Sequence, residues 1–137
     1  MSDSLHEDLS VPERDDRLAQ LSRHVSLNSA GILDRPLTNE VNNHVHTIYS
    51  FSPYSPVRAA WTARWAGLQA VGSVDHDSIG AAEEMIEACK VLGIGSTVGF
   101  ELRVSFKATP FGERRLNNPD STGIGYIVIH GVPRPRI

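Results

Sequence analysis

Two histidines separated by one residue, His44 and His46, are the first side chains in this sequence whose type and spacing suit chemistry. Side chains two apart on a strand share a face, so both imidazoles point the same way, as a chelate requires. Asp75-His76-Asp77 again sets imidazole beside carboxylate, a donor mixture that suits zinc, manganese or iron. Glu101 interrupts the largely apolar segment from Ile94 to Phe106, where an unpaired charge is costly to bury and a divalent cation removes that cost. His130 ends the run Tyr126-Ile127-Val128-Ile129 and precedes Gly131. Plainer roles exist for each residue. Histidine also serves as a polar core filler, Asp77 or Ser78 suits the cap of a following helix, and Arg103, two residues on from Glu101, suits an ion-pair partner. Those roles do not explain why ligand-type residues recur at every successive strand end.

The elements that must position these groups follow from periodicity. Glu40 to Thr47 reads as a first strand. Ser55-Pro56 reads as an N-cap with proline at the first helical position, opening a helix through Trp65 that stops at Gly67. Leu68 to Val74 is short and apolar, as in a strand buried on both faces. Ser78 to Leu92 carries apolar residues three and four apart and ends at Gly93, which specifies a helix. Ile94 to Phe106 is a third strand region, and Tyr126 to His130 a fourth after a loop rich in turn formers. Trp61 and Trp65, four apart on the first of these helices, are packing residues. Strands alternating with helices imply an α/β fold with a parallel sheet and right-handed crossovers, and such sheets build their sites at the C-terminal ends of the strands.

Residues 1–37 form a lead-in segment with one short helix around Pro12 to His24, and residues 38–137 form the domain proper. An eight-stranded barrel typically takes about 250 residues, so three or four strands lead us to expect a piece of a longer chain. A net charge of −3 and a pI near 6.0 disfavour bulk nucleic-acid binding, which needs a Lys/Arg surplus. The single cysteine, Cys89, rules out an internal disulfide and fits a reducing compartment. No leader-like start and no long apolar run is present, so the expected location is cytoplasmic, without membrane.

As an ordered set the motifs resemble the polymerase-and-histidinol-phosphatase (PHP) superfamily. His44-Val45-His46-Thr47-Ile48-Tyr49-Ser50 matches its opening His-x-His-Thr-x-x-Ser, Val74-Asp75-His76-Asp77 its Thr-Asp-His, and Gly99-Phe100-Glu101 its Gly-x-Glu. The resemblance implies part of a distorted (β/α)7 TIM-like barrel. It implies two or three divalent metal ions (Zn, Mn or Fe), with His44 and His46 holding one, Glu101 bridging two, and His76 and His130 binding the others. Asp75 and Glu101 are then the candidate catalytic residues. The implied activity is hydrolysis of a small phosphate ester by metal-activated water, with Arg103, Arg114 and Arg115 as candidate phosphate clamps. A non-catalytic PHP-like module and an amidohydrolase-type barrel are the competing functions. The sequence departs from the family where Phe51-Ser52 follows the motif serine in place of the common Asp-Gly, and where Ser52 replaces the histidine of trinuclear members. The family's later histidine and Asp-x-His motifs do not occur in these residues.

Overall fold

In the computed structural model, which describes residues 7–134, the chain is an α/β protein whose four strands lie in the order β1-β2-β3-β4. After a helix α1 (Arg14–Ser26) and a short 3₁₀ turn (Ser29–Gly31) come β1 (Val41–Val45), α2 (Pro56–Trp65), β2 (Ala70–His76), α3 (Ala82–Leu92), β3 (Gly95–Ser105) and β4 (Ile124–His130). β1, β2 and β3 are parallel, as the alternation of strands and helices implies. A sheet of this kind is consistent with part of a barrel.

β4 departs from the parallel expectation: it runs antiparallel to β3, with Ser105 opposite Ile124 and Gly99 opposite His130. Segment 106–123 contains no helix, the usual crossover between parallel strands, and the chain doubles straight back. The close approach of β4 also dictates Gly99. A Cβ there would collide with the Ile129 carbonyl oxygen.

The helices cover one face of the sheet. Val71 and Ile94 join Leu9, Leu21, Ile32, Val57, Ala60, Trp61, Met85, Ala88, Cys89 and Leu92 in a continuous buried core. Alternation therefore assigns Val71, Ser73 and Asp75 to the helix side of β2, and Gly72, Val74 and His76 to the opposite face. Ser55 caps α2 as its sequence suggests, its Oγ accepting from Arg58 N at 3.1 Å. The same hydroxyl donates to the Leu9 carbonyl at 2.6 Å, tying the N-terminal segment to the start of α2. Gly93, at φ 68°, ends α3 in the left-handed conformation that favours glycine. Trp61 is fully buried, and Trp65 lies beneath the Arg35 guanidinium at 4.0 Å.

The expected cap of α3 by Asp77 or Ser78 is not formed. Asp77 leaves the strand at φ 52°, Ser78 Oγ accepts instead from Gly80 N, and the helix begins only at Ala82 behind Ala81, with Glu83 and Glu84 in its first turn. α1 packs against α3 through a buried ion pair. Arg17 Nε and Nη2 reach Glu84 at 2.7 and 2.6 Å, with the side chains 3% and 1% exposed. Glu84 Oε1 also accepts from Val57 N, so one carboxylate joins α1, α2 and α3. The hydrogen bond to Glu84 raises the Arg17 pKa above its already high ordinary value.

Candidate metal centre

Five of the residues singled out in the sequence are brought to one region by four strands, with His76 and His130 at strand ends but Glu101 inside β3 and not at its end as the sequence suggested. β1 supplies His44, and the residue just past its end is His46. His76 ends β2, opposite Glu101 in the parallel register with β3. Three imidazole nitrogens converge on one carboxylate oxygen: the Nε2 atoms of His44, His46 and His76 lie 3.5, 3.8 and 4.0 Å from Glu101 Oε2. His44 Nε2 and His46 Nε2 are 3.3 Å apart. The rings of His46 and His76 stack at 4.9 Å, and that of His130 stands edge-on to His44 at 6.0 Å.

The donor set passes a geometric test. A tetrahedral cation with bonds of about 2.1 Å separates its ligand atoms by about 3.4 Å, and the edges among His44, His46 and Glu101 are 3.3, 3.5 and 3.8 Å. Their ligand atoms all lie within 4.8 Å of one another, and this is the candidate metal group among the described residues. Two imidazoles and a carboxylate suit zinc, manganese or iron. His76 stands just outside this triangle, and His130 is exposed at its margin.

Asp75, adjacent to His76, is on the other face of β2 and does not open into the cluster. Its carboxylate is 1% exposed, with Oδ1 accepting from Thr47 N and Ser50 Oγ, both at 2.6 Å, and Oδ2 from Thr47 Oγ1 at 2.7 Å. Thr47 is itself fully buried. Asp75 thus pins the segment that follows His46. Ser50 then passes the constraint to the cluster, because its Oγ lies 3.2 Å from His46 Nδ1. The Ser50 hydroxyl has one proton, which goes to the Asp75 carboxylate, so toward His46 it can only accept. Nδ1 therefore carries the imidazole proton, and the Nε2 lone pair faces His44 and Glu101, as a ligand must. Partial burial, and then the neighbouring His76 and His44, lower the His46 pKa below the usual histidine value and favour this neutral form.

Thr47 and Ser50 are motif positions to which the sequence alone assigned no role; their spacing from His46 is the signal that could have found it. The aromatic neighbours had no such signal: Phe51 and Tyr126 stand edge-to-face against His76, at 4.9 and 5.4 Å. Of the three candidate phosphate-binding arginines, Arg103 is exposed on β3 opposite Tyr126, two residues beyond Glu101 on the same face. Arg114 and Arg115 are exposed in the 106–123 loop, the Arg114 guanidinium 5.8 Å from the Phe111 ring.

No family model and no curated protein matches the chain. Among solved structures, a candidate metal-dependent phosphoesterase from Bifidobacterium adolescentis is similar, with 27% identity and a TM-score of 0.49. The match covers 55% of this chain and 26% of that one, so the chain spans about a quarter of that protein's length. Among the described residues, no helix is long and apolar enough to cross a membrane.

Proposed function

We propose that this chain is the metal-binding part of a PHP-type phosphoesterase that hydrolyses a small phosphate ester. The observation that carries the reading is the convergence of His44, His46 and His76 Nε2 on Glu101 Oε2 within 4.0 Å, from three separate strands that also bear the family's three motifs in order. His44, His46 and Glu101 would hold the first cation. His76 and His130, at the edge of that triangle, are placed to complete or extend the site. When bound, a divalent cation supplies Lewis acidity toward phosphoryl oxygen and a nucleophilic water at neutral pH.

The chain's own residues then have distinct tasks. Glu101 would neutralise cationic charge at the centre, and its position between the imidazoles suits a bridging ligand. Asp75 acts through Thr47 and Ser50 as a positioning residue. Arg103, on the same face as Glu101, is the arginine best placed to meet a phosphate.

Metal content and turnover on the intact gene product test the reading together. After chelation and reloading with Zn, Mn or Fe, elemental analysis is expected to show bound metal, and phosphate release from small esters is expected to depend on it. The double change His44→Ala and His46→Ala removes both. Unchanged metal stoichiometry in that variant rejects the site, and metal binding without turnover in the parent protein favours a structural module.

A further inference from the structure

We infer that the ester group of the substrate is aromatic or otherwise planar and rests on Phe51, a specificity residue at the mouth of the metal centre. This deepens the phosphoesterase reading and rests on it. Phe51 is 85% exposed, more than any other large apolar side chain described, yet it belongs to a segment whose backbone is tied down. Ser50 N and Ser52 N both donate to the Thr47 carbonyl, Ile48 N donates to the Tyr54 carbonyl, and the Ser50 side chain is anchored on buried Asp75. A phenyl ring on a loose loop can fold down onto the surface. Here the backbone is fixed through the buried carboxylate, and the ring stands against His76 with most of its surface in water.

Its direction is equally specific. The Phe51 ring centroid lies 4.9 Å from that of His76, which lies 4.9 Å from that of His46, so two ring-to-ring steps separate Phe51 from a metal-ligand imidazole. Tyr126 approaches the same His76 ring at 5.4 Å, and its hydroxyl accepts from Asn118 Nδ2 at 3.2 Å, which orients it. A phosphoryl group held beside His46 and Glu101 therefore places its ester substituent within reach of two oriented aromatic rings. Aromatic faces prefer offset or edge-on contact with another ring, and covering the exposed phenyl surface removes apolar area from water. A small aliphatic alcohol leaves that surface wet.

Binding of non-hydrolysable phosphonates to the metal-loaded protein, followed calorimetrically, separates this inference from the reading beneath it. Phenylphosphonate is expected to bind about tenfold or more tightly than methylphosphonate. Phe51→Ala should abolish that difference while leaving methylphosphonate affinity and metal content unchanged. Equal affinities in the parent protein, failure to bind either phosphonate, or a phenyl preference that survives Phe51→Ala overturns the inference. A phenyl preference lost in Phe51→Ala, in a protein that never releases phosphate from phenyl phosphate, supports the aromatic subsite and rejects the phosphoesterase reading alone.

Discussion

Replacing Ser50 with alanine isolates the link between a buried carboxylate and a candidate metal ligand. Ser50 Oγ stands between Asp75 Oδ1, 2.6 Å away, and His46 Nδ1, 3.2 Å away. Without it the imidazole loses the acceptor that fixes its tautomer, and Nε2 is free to take the proton that a cation must displace. Outer-shell partners of ligating histidines typically contribute about 10–100-fold to metal affinity, equivalent to about 1.4–2.8 kcal/mol. The fold should lose less, since Asp75 retains both bonds from Thr47 and one net hydrogen bond is worth about 0.5–1.5 kcal/mol. Ser50→Ala should therefore weaken metal binding by one to two orders of magnitude, measured by competition with a chromophoric chelator, while urea unfolding of the metal-free protein shifts only slightly. Ser50→Thr, which keeps the hydroxyl, should recover most of the affinity. Long-range nitrogen NMR on the metal-free parent should show His46 protonated at Nδ1. Metal affinity in Ser50→Ala equal to that of the parent, or His46 found protonated at Nε2, refutes the relay.

Glu84→Gln leaves the Arg17 guanidinium buried without its counter-charge. It should cost about 3–5 kcal/mol in urea unfolding, and a loss below about 1 kcal/mol would show that the pair contributes little. The folded-state pKa of His46 is below its unfolded value, so the unfolded chain binds more protons between the two. Stability of the metal-free protein from this group is full above about pH 6.5 and declines as pH falls toward the folded pKa, which melting curves across that range will test. Burial pushes the Cys89 thiol up to about 12, so a thiol reagent at neutral pH should modify it only after unfolding. Rapid labelling of the native protein contradicts that placement.

Much of the scaffold was legible because its signals are local. The cap and proline of Ser55-Pro56 and the stop at Gly93 are short-range stereochemistry, and the structure forms both at those residues. The second strand was legible but displaced: it covers Ala70–His76, so Asp75 and His76 lie within the ladder and not beyond it. What sequence could not supply were contacts between distant segments. Arg17 and Glu84 are 67 residues apart, and nothing in either local segment marks them as a pair. The turn formers of the 106–123 loop announced that no helix lies there, but the strand–helix alternation before it carried the parallel expectation over to β4, which the structure reverses.

Asp75 shows why a motif has to be divided by strand parity before its chemistry is assigned. Asp75 and His76 are neighbours in sequence, but neighbours on a strand face opposite sides, so only one of them can share a cluster with Glu101. The register pairs His76 with Glu101, which consigns Asp75 to the helix side among Val71 and Ser73. From that side it still governs the centre, because Thr47 and Ser50, just beyond β1, bridge it back to His46. The opposing faces of one strand thus carry complementary functions. One face presents His76 beside Glu101, and the other holds the segment that carries His46 in place beside them.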